Sequence, residues 1–372
     1  MSEVLQGLLS VCDFTVLFFI VVGVFVGIVF GSIPGLTATM AIVMFLPLTY
    51  TMTPIQGVST LIALYIGGIS GGLISAILLN IPGTPSSIAT CFDGRPMVLK
   101  GQAGKALGTG VVFSFCGTIV GIIVLIVAAP LIAAVAIKFG PYEYCTLSLC
   151  ALSLVISLTG KDLVKGLISG LIGVILATVG LAPVDSAKRF TFGSTELNSG
   201  FALLTLLIGL FAITEVIKAA EEAKNPVEAT MNESNVKIRG FGFSLSEFFE
   251  QKWNMLRSSF IGIIIGILPG IGGAISGMLS YTAAKNQSKH PEKFGTGIMD
   301  GVVASESANN AGIGGAMIPM LTLGIPGDAA TAMLLGGLMV HQIAPGPLIF
   351  DKNGVEVFGI YAAMIIATIA ML

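Results

Sequence analysis

The stretch Phe14-Thr-Val-Leu-Phe-Phe-Ile-Val-Val-Gly23-Val-Phe-Val-Gly27-Ile-Val-Phe-Gly31-Ser-Ile-Pro34-Gly35 contains no charge and closes on a Pro-Gly pair. It is long enough to cross a bilayer, which takes about 20 apolar residues. No Asp, Glu, Lys, Arg or His then appears until Asp93, leaving room for roughly three crossings before it. Across all 372 residues, 10% are charged and 54% apolar, with a mean hydropathy of +0.96. Soluble domains carry roughly 25% charge, so a soluble core is excluded. Only closed structures satisfy the backbone in lipid, and glycine-rich runs without dyad alternation do not suit barrel strands. The fold class is therefore all-α: a polytopic integral membrane protein.

Further apolar runs occur near Ile55–Leu79, Leu107–Ile137, Tyr142–Leu158, Leu163–Leu181 and Leu197–Thr214. Leu107–Ile137 exceeds one crossing and contains Pro130, so it reads as a tilted or Pro-broken helix, or as two short ones. From Lys218 to Arg257 acidic and basic residues alternate, and this polar connection divides the chain. The expected organisation is a first membrane half over 1–217, a polar connecting segment over 218–257 that behaves as a solvated linker, and a second membrane half over 258–372. Lys and Arg concentrate in that connection and in Asp93–Lys105, which places both on the cytoplasmic side. The N-terminus has no Lys or Arg before Asp13, so its first apolar run reads as a retained helix rather than a cleaved signal.

The opening motif has a counterpart. Gly27-Ile-Val-Phe-Gly31-Ser-Ile-Pro34-Gly35 lies over Gly262-Ile-Ile-Ile-Gly266-Ile-Leu-Pro269-Gly270, with Gly23 over Ser258. Asn80-Ile-Pro82-Gly83-Thr84 likewise lies over Gly324-Ile-Pro326-Gly327-Asp328. Proline deletes a helix hydrogen bond, and the glycine after it permits an open backbone. Paired breaks in two parts of a membrane chain point to discontinuous helices meeting at a binding site. The competing explanation, ordinary kinks and packing glycines, suits one break better than four in matching order.

The site read from these breaks has Pro34, Gly35, Thr37, Asn80, Pro82, Gly83 and Thr84 on one wall. Pro269, Gly270, Gly272, Gly273, Pro326 and Gly327 form the other. Neutral hydroxyls, amides and free N–H groups at half-helix N-termini suit an anion such as a carboxylate. Glu306, Asn309, Asn310 and Asp328 offer hard oxygen ligands for a coupling Na+ or H+, and an ionisable group at membrane depth is a functional candidate by default. If the segment is helical, Glu306, Asn309 and Asn310 share one broad face. The rival for Glu306 is a cap near the aqueous face.

Other chemistries find little support. Net charge is only −2 and no basic cluster exists for nucleic acid. The five cysteines form no C-x-x-C pair and the two histidines no zinc cluster. Gly101-Gln-Ala-Gly104-Lys105 lacks phosphate-loop spacing. No enzyme activity and no cofactor beyond a coupling cation are expected. A passive channel and a non-transporting membrane scaffold remain the alternative readings.

The motifs Gly31-Ser-Ile-Pro-Gly35, Asn80-Ile-Pro-Gly-Thr-Pro85 with Asp93-Gly94, Gly266-Ile-Leu-Pro-Gly-Ile-Gly-Gly273, and Glu306-Ser-Ala-Asn-Asn-Ala311 through Gly324-Ile-Pro-Gly327 resemble the large membrane subunit, TctA type, of the tripartite tricarboxylate transporter family. The resemblance runs from about Phe14 to the C-terminus. It implies an ion-gradient-driven importer of a citrate-like carboxylate in the bacterial inner membrane. Its partners would be a small membrane subunit and a periplasmic solute-binding protein. The family's large subunit is typically longer, and after Glu356 only Val357–Leu372 remains uncharged, short of a full crossing. The second half is thus expected to be incomplete.

Overall fold

The computed structural model describes residues 2–157, 162–182, 186–202, 205–206, 209–210, 213–222, 240–270 and 272–372. Helices dominate; the strands described are two short antiparallel pieces, β1 (Gly180–Leu181) and β2 (Lys188–Arg189). Among the described residues, four helices are long and apolar enough to cross a membrane: α2 (Phe14–Ser32), α4 (Pro54–Leu79), α6 (Ala103–Ala136) and α16 (Gly354–Met371). The remainder are α1 (Glu3–Val11), α3 (Ala38–Thr49), α5 (Ile88–Leu99), α7 (Pro141–Ser157), α8 (Leu163–Thr178), α9 (Ile213–Glu222), α10 (Leu245–Glu250), α11 (Lys252–Ile267), α12 (Gly272–Gln287), α13 (Met299–Leu323), α14 (Ala329–Val340) and α15 (Ile349–Lys352).

Local signals explain the boundaries. Asp13 caps α2 by accepting from the Thr15 N–H at 3.0 Å, and Thr37 caps α3 by accepting from Met40 N–H at 3.1 Å. α4 opens with Thr53 as N-cap and Pro54 in its first turn. It ends at Leu79 because Asn80 turns left-handed, φ 60° and ψ 25°. α13 ends in the same manner at Gly324, φ 71° and ψ 21°.

α4 and α13 form the centre. α13 is buried from Gly301 to Thr322, although it is far from apolar, and α2, α3 and α16 pack on α4 while α6, α11 and α12 pack on α13. Glycine sets the spacing. A Cβ at Gly27 would lie 2.6 Å from the Leu64 carbonyl oxygen, and one at Gly31 would strike that of Gly68. Between α11 and α13 a Cβ at Gly262 would strike the Ala308 carbonyl, and one at Gly266 would lie 2.6 Å from that of Gly312. In the other direction, Gly71 meets the Ile28 carbonyl and Gly315 the Ile263 carbonyl. Such close backbone contact replaces hydrophobic driving force with dispersion, as helices in lipid require.

The outside is apolar. Phe14, Phe18, Val21, Phe25 and Val29 on α2, and Ile123, Val127, Leu131 and Val135 on α6, are exposed. These side chains suit lipid tails. Leu107–Ile137 proves to be part of a single helix, α6, continuous through Pro130. The C-terminal run, expected to be short of a crossing, is also one long helix: α16 begins at Gly354 and takes Glu356 into its first turn.

Two polar fastenings hold the assembly. Asp93 on α5 is fully buried, and its Oδ1 accepts the backbone N–H groups of Gly295 (3.0 Å), Gly297 (2.7 Å) and Ile298 (3.1 Å). Its Oδ2 accepts from the Tyr281 hydroxyl at 2.8 Å, so α5 caps the turn leading into α13. In the polar connection, residues 223–239 lie outside the described residues. The part that follows is no free linker. Phe248 stacks on Phe113 of α6 at 5.4 Å, Phe243 lies 6.2 Å from the same ring, and Glu247 pairs with Lys105.

Candidate functional site

The residues named from the sequence fall into three places. Pro34, Gly35 and Thr37 make the turn between α2 and α3, where Gly35 has φ 89° and Thr37 is occupied as a cap. Asn80, Pro82, Gly83 and Thr84 make the turn after α4. There a Cβ at Gly83 would strike the Gly31 carbonyl, and the buried Thr84 hydroxyl bonds that of Ser86 at 2.9 Å. Pro269, Gly270, Pro326 and Gly327 form the corresponding pair of turns, joined by a hydrogen bond from Gly270 N–H to the Gly327 carbonyl at 2.8 Å. A Cβ at Gly327 would lie 2.5 Å from the Gly266 carbonyl. Gly83 and Gly327 are therefore glycine because backbone packs on backbone there.

The four cation candidates divide. Glu306 is fully buried inside α13, about two turns from its start at Met299, so it does not cap that helix. Its Oε1 accepts from the Thr90 hydroxyl. Its Oε2 accepts from the Ser114 hydroxyl at 2.9 Å and the Asn310 amide at 3.2 Å. Asn310 Nδ2 also reaches Ser114 Oγ at 2.8 Å, and its Oδ1 accepts from Ser70 at 2.6 Å. Four helices, α4, α5, α6 and α13, thus converge on one carboxyl through neutral groups. None of these partners carries positive charge, and a buried carboxylate without a countercharge is strongly disfavoured.

Asn309, the neighbour of Asn310, points elsewhere. It is 2% exposed, and among the described residues neither its Oδ1 nor its Nδ2 has a hydrogen-bond partner. An unpartnered buried amide costs about 1–3 kcal/mol, so it calls for a ligand or water. It faces a small pocket, with free space for about one water, walled by Tyr65, Ile69, Gly272, Gly273, Ser276 and Asp328 among others. The pocket sits at the N-terminal turn of α12, whose first N–H groups have no intrahelical partner and whose dipole favours anions. Gly272, with φ 66°, and Gly273 leave that turn bare; a Cβ at Gly273 would lie 2.6 Å from Asn309 Oδ1 and 2.8 Å from Ser86 Cβ.

Asp328 closes the other side of this pocket. It caps α14, with Oδ1 accepting from Thr331 N–H at 2.7 Å, while Oδ2 accepts from the Tyr65 hydroxyl at 2.7 Å. The structure therefore brings Gly272, Gly273, Asn309 and Asp328 to one pocket and Glu306 and Asn310 to a separate sealed network. The turn of Pro34, Gly35 and Thr37 lines neither, and nor do Asn80, Pro82, Gly83, Thr84, Pro269, Gly270, Pro326 and Gly327.

Against known proteins, residues 17–372 match the Tripartite tricarboxylate transporter TctA family. The chain belongs to the TctA family. It is 37% identical over 351 residues to "Uncharacterized 52.8 kDa protein in TAR-I ttuC' 3'region" of Agrobacterium vitis, covering 94% of this chain and 69% of that one. It is 40% identical over 91 residues to "Uncharacterized protein in TAR-II ttuC' 3'region" of the same organism, covering 24% of this chain and 38% of the relative. No solved structure matches it. As a TctA-family chain it is a membrane component of a transporter system with further subunits.

Reading the TctA-family sequence alone passes over Tyr65, Ser70, Thr90, Ser114 and Tyr281, and meets Asp93 as part of a motif without giving it a role. Thr90 and Ser114 look like ordinary small residues in apolar runs, and nothing local links them to Glu306. Asp93 carried a signal: it is the first charge after the long uncharged stretch. Buried carboxylates are rarely idle.

Proposed function

We propose that this chain is the translocating membrane subunit of an ion-gradient-driven importer for a small carboxylate. The observation that carries the reading is Glu306, a buried carboxyl held by hydroxyl and amide groups from three helices, α5, α6 and α13, with no cation among its described partners. Such a group needs a mobile positive charge, Na+ or H+, to be stable there. Glu306 and Asn310 would take the coupling cation. The pocket of Tyr65, Gly272, Gly273, Asn309 and Asp328 would take the carboxylate against the α12 N-terminus.

The architecture behind this reading is a pair of related membrane halves, 1–217 and 258–372, joined by the segment 218–257, with helices broken at Pro34-Gly35, Pro82-Gly83, Pro269-Gly270 and Pro326-Gly327. Support comes from the matched backbone contacts of α2 with α4 and of α11 with α13. Site walls formed by turns between half-helices are how membrane chains expose backbone groups to a substrate. The partners would be a small membrane subunit and a periplasmic binding protein that delivers the acid at the bacterial inner membrane.

The test is uptake of radiolabelled citrate and other carboxylates by proteoliposomes containing the full chain, the small membrane subunit and the binding protein. Saturable accumulation driven by an imposed Na+ or proton gradient is expected. Downhill flux without saturation would make the protein a channel, and no flux under either gradient would leave a scaffold role.

A further inference from the structure

We propose that the bend between α10 and α11 is seated in the headgroup layer of the bilayer and prefers anionic phospholipid there. The two faces of this bend differ. Phe248 stacks on Phe113 of α6, Glu247 pairs with Lys105, and Gln251 between the two helices is buried. These contacts fix the inward face. On the outward face Leu245, Phe249 and Trp253 follow one another at four-residue spacing and are 78%, 61% and 72% exposed. Large apolar side chains gathered on one such face call for a protein partner or a membrane surface.

Continuity with the lipid-facing surface favours the membrane. Below Trp253 the same side of α11 exposes Phe260 and Ile264, seven and eleven residues on, a spacing that keeps to one helix face. From Trp253 to Ile264 the helix rises about 16 Å, close to the half-thickness of about 15 Å for bilayer hydrocarbon. With Phe260 and Ile264 among acyl chains, Trp253 falls at the headgroups, where tryptophan is favoured. The charge around it suits the same layer. The Lys252 ammonium lies 5.9 Å from the Trp253 ring centroid. The Asn254 amide donates to the Asp300 carbonyl at 3.0 Å and Arg257 to Gln287 at 2.8 Å, which holds the end of α12 and the start of α13 beside the bend. At this end of the molecule Lys100, Lys252, Lys285, Lys289 and Lys293 are exposed and, among the described residues, in no ion pair. Against them stand Glu250, Glu292 and the half-buried Asp300, so the rim is net positive and attracts anionic headgroups.

Trp253 is the chain's only tryptophan, so its fluorescence reports on this bend alone. The experiment reconstitutes the full chain in vesicles of equal parts phosphatidylcholine and phosphatidylglycerol, with bromine carried near the carbonyl or near the tail end of one lipid or the other. Bromine quenches tryptophan on contact. Shallow bromine should quench at least about twofold more than deep bromine. At the shallow position, bromine on phosphatidylglycerol should quench at least about twofold more than bromine on phosphatidylcholine, a difference lost in high salt. Quenching by neither lipid, as when protein covers the ring, overturns the inference, and so does quenching by aqueous iodide alone. Equal quenching by the two lipids, or a preference that persists in high salt, overturns the choice of anionic lipid. Only the wild-type chain is measured, so no misfolded variant obscures the result.

Discussion

The helix pairs α2–α4 and α11–α13 are built alike and end differently. Each is locked by glycines against carbonyls at matching positions: Gly27 and Gly262, Gly31 and Gly266, Gly71 and Gly315. Each central helix stops on a left-handed residue, Asn80 or Gly324. Yet in the same register Tyr65 on α4 stands where α13 has Asn309, and Thr84 stands where the second turn has Asp328. Tyr65 finds Asp328 and closes that side, whereas Asn309 finds no partner among the described residues. Backbone spacing is thus what the two pairs share, and their polar side chains are what differ.

The largest expected effect breaks the shared spacing. Gly31→Val and Gly266→Val force side chains into backbone, at about 3 kcal/mol or more for each. Both should fail to give monodisperse protein after detergent extraction. If either yields normal protein, the close contact of that pair is not required. Next comes the fastening at the turn into α13. Asp93→Ala strands three backbone N–H groups and the Tyr281 hydroxyl, and should lower stability by roughly 3 kcal/mol, read as a drop in thermal midpoint.

A smaller change probes the closed side. Tyr65→Phe removes one bond to Asp328 and should cost about 1.5 kcal/mol while leaving the α14 cap in place. An unchanged thermal midpoint would mean that Tyr65 and Asp328 do not hold that side closed. The smallest effect lies outside the membrane. The Lys105 ammonium and the N–H of Ser244 hold the Glu247 carboxyl down from 4.5 to about 2. A depressed carboxyl adds stability above its ordinary value and loses it as pH falls toward its folded value. The contact of α10 with α6 should therefore persist at pH 5 and weaken between pH 4.5 and 2, detectable by hydrogen exchange across Leu245–Glu250.

Much of the scaffold was legible. The uncharged runs marked α2 and α4, and the Pro-Gly pairs fell at helix ends because proline and glycine act locally. α13 was harder. Hydropathy detects helices that face lipid, whereas α13 is shielded on all sides and tolerates Glu306, Ser307, Asn309 and Asn310. The partition of Asn309 from Asn310 was out of reach as well. Adjacent helical residues differ by about 100°, enough for one amide to meet α6 and the other α12, and which helix lies where is a tertiary fact. The polar connection misled by its charges, since Phe243 and Phe248 bind it to Phe113 through side chains that composition averages away.

If Glu306 ties carboxylate movement to a cation, Glu306→Gln should uncouple the two, because it keeps the side chain's size and an acceptor oxygen while removing the charge. In reconstituted vesicles two quantities are measured: exchange of labelled for unlabelled carboxylate, and accumulation driven by a Na+ or proton gradient. The variant should retain exchange, since the Asn309 pocket is separate, and lose gradient-driven accumulation. Accumulation at the wild-type level, with unchanged dependence on Na+ and pH, would contradict it.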